Sequence, residues 1–127
     1  TILRVHPNSN LDDYLPVANE FNQLSIEEDA YEICMRSDVV VGMTSMLLLE
    51  ACLLGKPTLS ILPDNQERNW MPNTEFGPTA TVSSREELFN YWKEKKFLDY
   101  ESVIPEWVTL NYDDKFIKRI TSLLVKQ

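Results

Sequence analysis

The sequence lacks the residues and motifs on which several functional classes depend. Its 127 residues include three glycines, two cysteines and one histidine. The glycine-rich fingerprint of dinucleotide-dependent oxidoreductases is missing, as are the phosphate-binding P-loop and the nucleophile elbow of hydrolases. The cysteines and the histidine stand at spacings that fit no zinc motif. The sequence therefore argues against these enzyme classes and against a metal site.

Basic residues are also scarce. Acidic residues outnumber basic ones 20 to 12, so the formal net charge is −8. Nucleic-acid binding requires a basic surface that neutralises phosphates. The densest basic cluster, residues 93–96, is diluted by a glutamate. We therefore expect no nucleic-acid partner.

Long apolar runs are missing as well. The longest, residues 46–54, is interrupted by Glu50 and is far shorter than the ~20 residues that span a bilayer. Cys34 and Cys52 lie in helical patterns, which indicates two buried thiols in a reducing cytosol. The first residues have a strand pattern and do not resemble a signal peptide. We expect a cytoplasmic protein without a transmembrane segment.

The patterning that is present predicts an α/β fold. With 43% apolar and 25% charged residues, the chain is typical of one globular domain, here residues 1–127. Strand and helix patterns alternate, which predicts a Rossmann-like three-layer domain with a mostly parallel sheet. Strands are predicted at residues 2–5, 21–26, 39–41, 57–62 and 79–82, and helices at residues 11–19, 27–36, 44–54, 85–95 and from Asp113 onwards.

The junction between the third strand and the next helix carries the clearest chemical signal. Residues 39–41 are three valines, typical of a strand buried on both faces, and Gly42 allows a tight turn and the close approach of a ligand. Thr44 and Ser45 then begin the helix, whose first N–H groups and dipole favour an anion. The junction predicts a phosphate site. The alternative is that Thr44 or Ser45 only caps the helix.

Glu50 interrupts an otherwise apolar helix and is the only charged residue between Asp38 and Lys56. A carboxylate there is costly to bury unless it is paired. It lies five residues after Ser45, or ~7.5 Å along a helix axis, about the separation of a nucleotide's diphosphate from its ribose hydroxyls. We predict that Glu50 accepts hydrogen bonds from a ribose. The alternative is that it points outward or pairs with Lys56.

Residues 37–63 resemble the donor-binding C-terminal domain of GT-B glycosyltransferases and of the related UDP-N-acetylglucosamine 2-epimerases. In that superfamily a small-residue turn and a Ser/Thr-bearing helix start meet the diphosphate, a later glutamate holds the ribose, and Gly-Lys-Pro leads into the next strand. The matching pieces here are Gly42, Thr44-Ser45-Met46, Glu50-Ala51 and Gly55-Lys56-Pro57. The resemblance implies a nucleotide-diphosphate sugar of the UDP type as ligand. It implies neither a metal ion nor another cofactor.

Two flanking segments agree with this resemblance. Val5-His6-Pro7 is similar to a strand-then-histidine segment whose histidine faces the phosphates or sugar, which implies a catalytic role for His6. The alternative is a local hydrogen bond between His6 and the backbone. The loop that contains Arg68 resembles an epimerase loop that contacts the sugar nucleotide, so Arg68 is expected to bind phosphate. The alternative is a solvated loop arginine.

The sequence also departs from the family pattern. We expect the given residues to lack the first strand and helix of the GT-B half and its N-terminal Rossmann-like partner domain. The epimerases' paired glycines and glutamates are replaced by Met43-Thr44 and a single Glu50, which favours a transferase. We predict a nucleotide-sugar-binding domain that is inactive alone. Alternatives are an epimerase half and a non-catalytic interaction module with an internally paired Glu50. Self-association through uncovered surface is a further hypothesis.

Overall fold

The computed structural model describes residues 1–64 and 79–99. The chain forms two compact units, Thr1–Ile33 and Cys34–Gln127. The prediction of one domain over residues 1–127 stays a prediction. Arg68 and the helix predicted from Asp113 lie outside the described residues.

The first unit contains a two-stranded parallel sheet. Its elements are β1 (Ile2–Arg4), a 3-10 turn (Leu11–Asp13), α1 (Leu15–Ala18), β2 (Gln23–Ser25) and the start of α2 (Ala30–Met35). Leu3 pairs with Leu24 at the centre of the sheet. The helix predicted for residues 11–19 is split at Tyr14, and Pro16 stands in the first turn of α1. A proline is tolerated there because its missing N–H would have had no helical partner.

The second unit contains a three-stranded parallel sheet in the order β3-β4-β5. Its elements within the described residues are β3 (Val40–Gly42), α3 (Met46–Leu53), β4 (Thr58–Ile61), β5 (Ala80–Val82), α4 (Arg85–Lys93) and a 3-10 turn (Lys96–Asp99). Apart from the split helix at residues 11–19, each strand and helix predicted within the described residues is present, with ends that differ by a few residues. The prediction of an α/β fold with parallel sheets is therefore confirmed.

Helices cover both faces of the second unit's sheet. On one face, the Sγ atom of Cys52 in α3 lies 2.8 Å from the Oγ1 atom of Thr58 in β4. On the other face, Leu59 and Val82 form a buried cluster with Tyr91 of α4. This burial raises the pKa of the Tyr91 phenol above its ordinary value. The layering follows from the alternation of side chains along each strand, which sends Thr58 and Leu59 to opposite faces.

The expectation that residues 39–41 form a strand buried on both faces is wrong. Val41 is 45% exposed, although its register partner Leu59 is fully buried. β3 is an edge strand of the described sheet, and the apolar cluster under α4 gathers on β4 and β5. A run of valines favours a strand but carries no information about the position of that strand in a sheet.

Two further expectations can be compared with the structure. Cys34 and Cys52 are both buried and form no disulfide bond, as their helical patterns predicted. Within the described ranges no helix has the length and apolarity required to cross a membrane.

Candidate functional site

The turn between β3 and α3 places Ser45 as the N-cap of the helix. Ser45 has extended backbone angles (φ −78°, ψ 135°), and its Oγ atom accepts the N–H of Leu47 at 3.2 Å. The capping interpretation is therefore correct for Ser45 and not for Thr44. Capping uses a lone pair of the hydroxyl, so its hydrogen can still be donated to a ligand.

Gly42 ends β3 without using a glycine-specific conformation. Among the described glycines only Gly55 has a positive φ, of 77°. A Cβ atom added to Gly42 would lie 3.4 Å from the Cγ atom of Leu48, which is an ordinary contact. The turn therefore does not require a glycine at this position, contrary to our expectation. The close approach of a ligand to Gly42 stays a prediction.

Several hydrogen-bond donors of this turn have no partner. Within residues 1–64 and 79–99, the N–H groups of Thr44, Ser45 and Met46 donate to no protein atom, and the Thr44 hydroxyl makes no hydrogen bond. Ser45 satisfies the next two N–H groups. Its side chain accepts the N–H of Leu47, and its carbonyl accepts the N–H of Leu48 at 3.0 Å. The unpaired donors belong to the residues where the sequence predicted a diphosphate.

Glu50 lies on the least buried side of α3. It is partly buried and stands four residues after Met46, which is 47% exposed, so the two share one side of the helix. In the described part of the chain its carboxylate makes no hydrogen bond and no ion pair. The alternative in which Glu50 pairs with Lys56 is therefore not realised. The carboxylate can accept hydrogen bonds from a ligand at the helix surface.

The carboxyl end of α3 is fixed by two sets of polar contacts. The N–H of Gly55 donates to the carbonyl of Cys52 at 2.9 Å, and that of Lys56 donates to the carbonyl of Ala51 at 3.0 Å. These bonds, with Gly55 in the left-handed region, form a Schellman motif. Cys52 also joins two buried hydroxyls, those of Thr58 at 2.8 Å and Thr79 at 3.0 Å, which lie 2.8 Å from each other.

One polar residue near the turn was missed by the sequence reasoning. Ser60, fully buried in β4, donates its hydroxyl to the carbonyl oxygen of Met43 at 2.6 Å. The available signal was the alternation of Thr58 and Ser60 with Leu59 and Ile61, which places two hydroxyls on one face of an otherwise apolar strand. A buried hydroxyl needs a partner, so this pattern could have indicated a contact with the turn.

His6 is exposed after β1 and makes a local hydrogen bond. Its Nδ1 atom accepts the N–H of Asn8 at 3.1 Å, and its carbonyl accepts the N–H of Ser9 at 2.9 Å. The alternative of a hydrogen bond to the backbone is therefore realised. With Nδ1 as acceptor, a neutral imidazole carries its proton on Nε2, so Nε2 is a donor in this arrangement. The catalytic role of His6 stays a prediction.

Known proteins supply no assignment for this site. Comparison of the chain with protein-family models, with curated proteins and with solved structures found no match. The chemistry of the site is therefore inferred from the turn before α3 and from Glu50.

Proposed function

We propose that this chain is the donor-binding domain of a GT-B-type glycosyltransferase and that its ligand is a nucleotide-diphosphate sugar of the UDP type. The observation that carries the proposal is the carboxylate of the partly buried residue Glu50, which has no partner in the described part of the chain. A carboxylate accepts hydrogen bonds on both of its oxygens. The two hydroxyls of a ribose supply donors for these oxygens in one compact group.

The turn before α3 supports the diphosphate half of the proposal. The unpaired N–H groups of residues 44–46 and the positive end of the α3 dipole would bind an anion. The hydroxyls of Thr44 and Ser45 would add two further donors. Glu50 follows Ser45 by five residues, about 7.5 Å along the helix axis, so one nucleotide diphosphate could reach both groups.

In the reaction, these groups would act on the leaving group. Transfer of the sugar leaves negative charge on the nucleoside diphosphate, and donors already held in place lower the energy of that charge as it develops. The Rossmann-like fold of the whole chain and a second Rossmann-like domain that binds the acceptor belong to this proposal. The exposed apolar side chains of Val41, Met43 and Met46 beside the turn are surface that such a domain could cover.

Calorimetric titration of UDP and of UDP-N-acetylglucosamine into the chain tests the proposal. We expect saturable binding of both ligands. Glu50→Ala should weaken UDP binding by about 10-fold to 100-fold, because hydrogen bonds to a charged group contribute about 1.5–3 kcal/mol. Glu86→Ala is the matched control, since it removes an exposed carboxylate from α4 in the same unit. Its UDP affinity should stay within about twofold of wild type.

The outcomes separate the proposal from its strongest rival. If the folded wild-type chain binds neither ligand, the nucleotide-sugar proposal is contradicted and a protein-interaction module becomes the better interpretation. If UDP binds equally well to wild type and to Glu50→Ala, the site lies elsewhere and the ribose role of Glu50 is wrong.

A further inference from the structure

The hydroxyl of Ser60 ties the turn before α3 to the centre of the sheet. Ser60 pairs in register with Gly42, the last residue of β3. Its Oγ atom donates to the carbonyl oxygen of Met43 at 2.6 Å, one residue beyond the end of that strand. Ser60 itself is fully buried. A buried side chain on the central strand therefore restrains the backbone of an exposed turn.

This hydrogen bond fixes the direction of one N–H group in the proposed phosphate site. The peptide between Met43 and Thr44 is trans, and in a planar trans peptide the C=O and N–H bonds point in opposite directions. Because the Met43 carbonyl points toward the Ser60 hydroxyl, the Thr44 N–H points away from it. That N–H has no partner in the described part of the chain, so it is available to a ligand.

A neighbouring hydroxyl shows that the contact depends on position. Thr81 pairs in register with Ser60 on β5, so the two side chains project from the same face of the sheet. The Thr81 hydroxyl is also buried, yet it has no hydrogen-bond partner among the described residues. Of these two buried hydroxyls, that of Ser60 contacts the turn and that of Thr81 does not.

We propose that Ser60 is a positioning residue for the diphosphate site. Its hydroxyl holds the Met43–Thr44 peptide so that the Thr44 N–H is presented to a ligand phosphate. This role rests on the proposed nucleotide-sugar function. Ser60 would not touch the ligand, so its effect on binding must pass through the backbone of the turn.

The test compares Ser60→Ala with Thr81→Val in the full chain, with UDP and uridine as probes. Uridine contains the base and ribose but no phosphate. Ser60→Ala should weaken UDP binding by about tenfold, the effect of losing one charge-assisted hydrogen bond, and leave uridine binding within about twofold. Thr81→Val should leave both affinities within about twofold. In the ligand-free proteins, the Thr44 amide resonance should move in Ser60→Ala and stay in place in Thr81→Val.

Two further variants serve as controls for the role of Ser60. Ser60→Cys retains a weak donor of similar size, and its loss of UDP affinity should be smaller than that of Ser60→Ala. Thr58→Val removes a buried hydroxyl from the same strand, and that hydroxyl makes no contact with the turn. This variant therefore shows how a general loss of stability affects UDP affinity.

The possible failures can be told apart. Unchanged UDP affinity in Ser60→Ala, an equal loss of UDP and uridine affinity, or an unmoved Thr44 amide would each overturn the role of Ser60 while Glu50→Ala still tests the nucleotide site. No binding of UDP to the wild-type chain would instead overturn the proposed function and, with it, the role of Ser60 in ligand binding.

Discussion

The two ends of helix α3 satisfy their polar groups in different ways. At the carboxyl end, backbone hydrogen bonds from Gly55 and Lys56 close the helix, and Cys52 contacts two buried hydroxyls. At the amino end, Ser45 satisfies two N–H groups, but the N–H groups of residues 44–46 have no partner in the described part of the chain. The same helix is therefore closed at one end and open at the other.

The difference between the two ends of α3 indicates where a ligand would form the most new hydrogen bonds. Every helix has unpaired groups at its ends, and water satisfies them at an ordinary exposed end. The amino end of α3 differs because Glu50, one turn further along the exposed side, also lacks a partner among the described residues. Donors and an acceptor are then available together at a spacing that suits a nucleotide. A closed end offers no comparable combination.

Breaking the closed end should reduce stability and leave ligand binding intact. Thr58→Val keeps the shape of the side chain but removes its hydrogen bonds to Cys52 and Thr79. We expect the free energy of unfolding to fall by about 1–3 kcal/mol, because buried polar groups lose a partner. Urea denaturation measures this change, and calorimetry should find UDP affinity within about twofold of wild type. A large loss of UDP affinity would show that the two ends do not act separately.

Gly55 offers a second, smaller way to disturb the closed end. Its φ of 77° costs a residue with a Cβ atom about 1–2 kcal/mol, so Gly55→Ala should lower the free energy of unfolding by that amount. Gly55→Asn should cost less, since asparagine tolerates this region. Gly42→Ala is the control, because its backbone is not in the left-handed region and its added Cβ meets only an ordinary contact. Equal effects at both glycines in urea denaturation would contradict the interpretation.

The local features of α3 could be predicted from the sequence. Caps at both ends depend on residues within four positions of each other, so Ser45 and Gly55 were identifiable from their places beside an apolar helical stretch. The α/β alternation was recognisable for the same reason, because each element has its own hydrophobic period. The local hydrogen bond of His6, which the sequence left open as an alternative, also joins near neighbours.

Contacts between distant residues could not be predicted in this way. Ser60 reaches Met43 across 17 residues, and Thr58 reaches Thr79 across 21. Both contacts depend on the register of parallel strands, which the strand patterns do not contain. The exposure of Val41 was missed for a related reason, because the sequence of one strand does not report how far the covering helix extends across the sheet.

The smallest expected effect on stability comes from substitutions of Ser45. They test whether Ser45 only caps α3 or also binds phosphate. Ser45 caps α3 by accepting the N–H of Leu47 at 3.2 Å, and Ser84 caps α4 by accepting the N–H of Glu87 at 3.1 Å. Ser45→Ala and Ser84→Ala should therefore each cost about 1 kcal/mol. Only Ser45→Ala should weaken UDP binding, by about tenfold.

Ser45→Gly sharpens the test, because glycine caps almost as well as serine but has no hydroxyl to donate. The free energy of unfolding should recover while UDP affinity stays low. If UDP affinity recovers with stability, Ser45 acts only as a cap, and its hydroxyl does not bind the diphosphate.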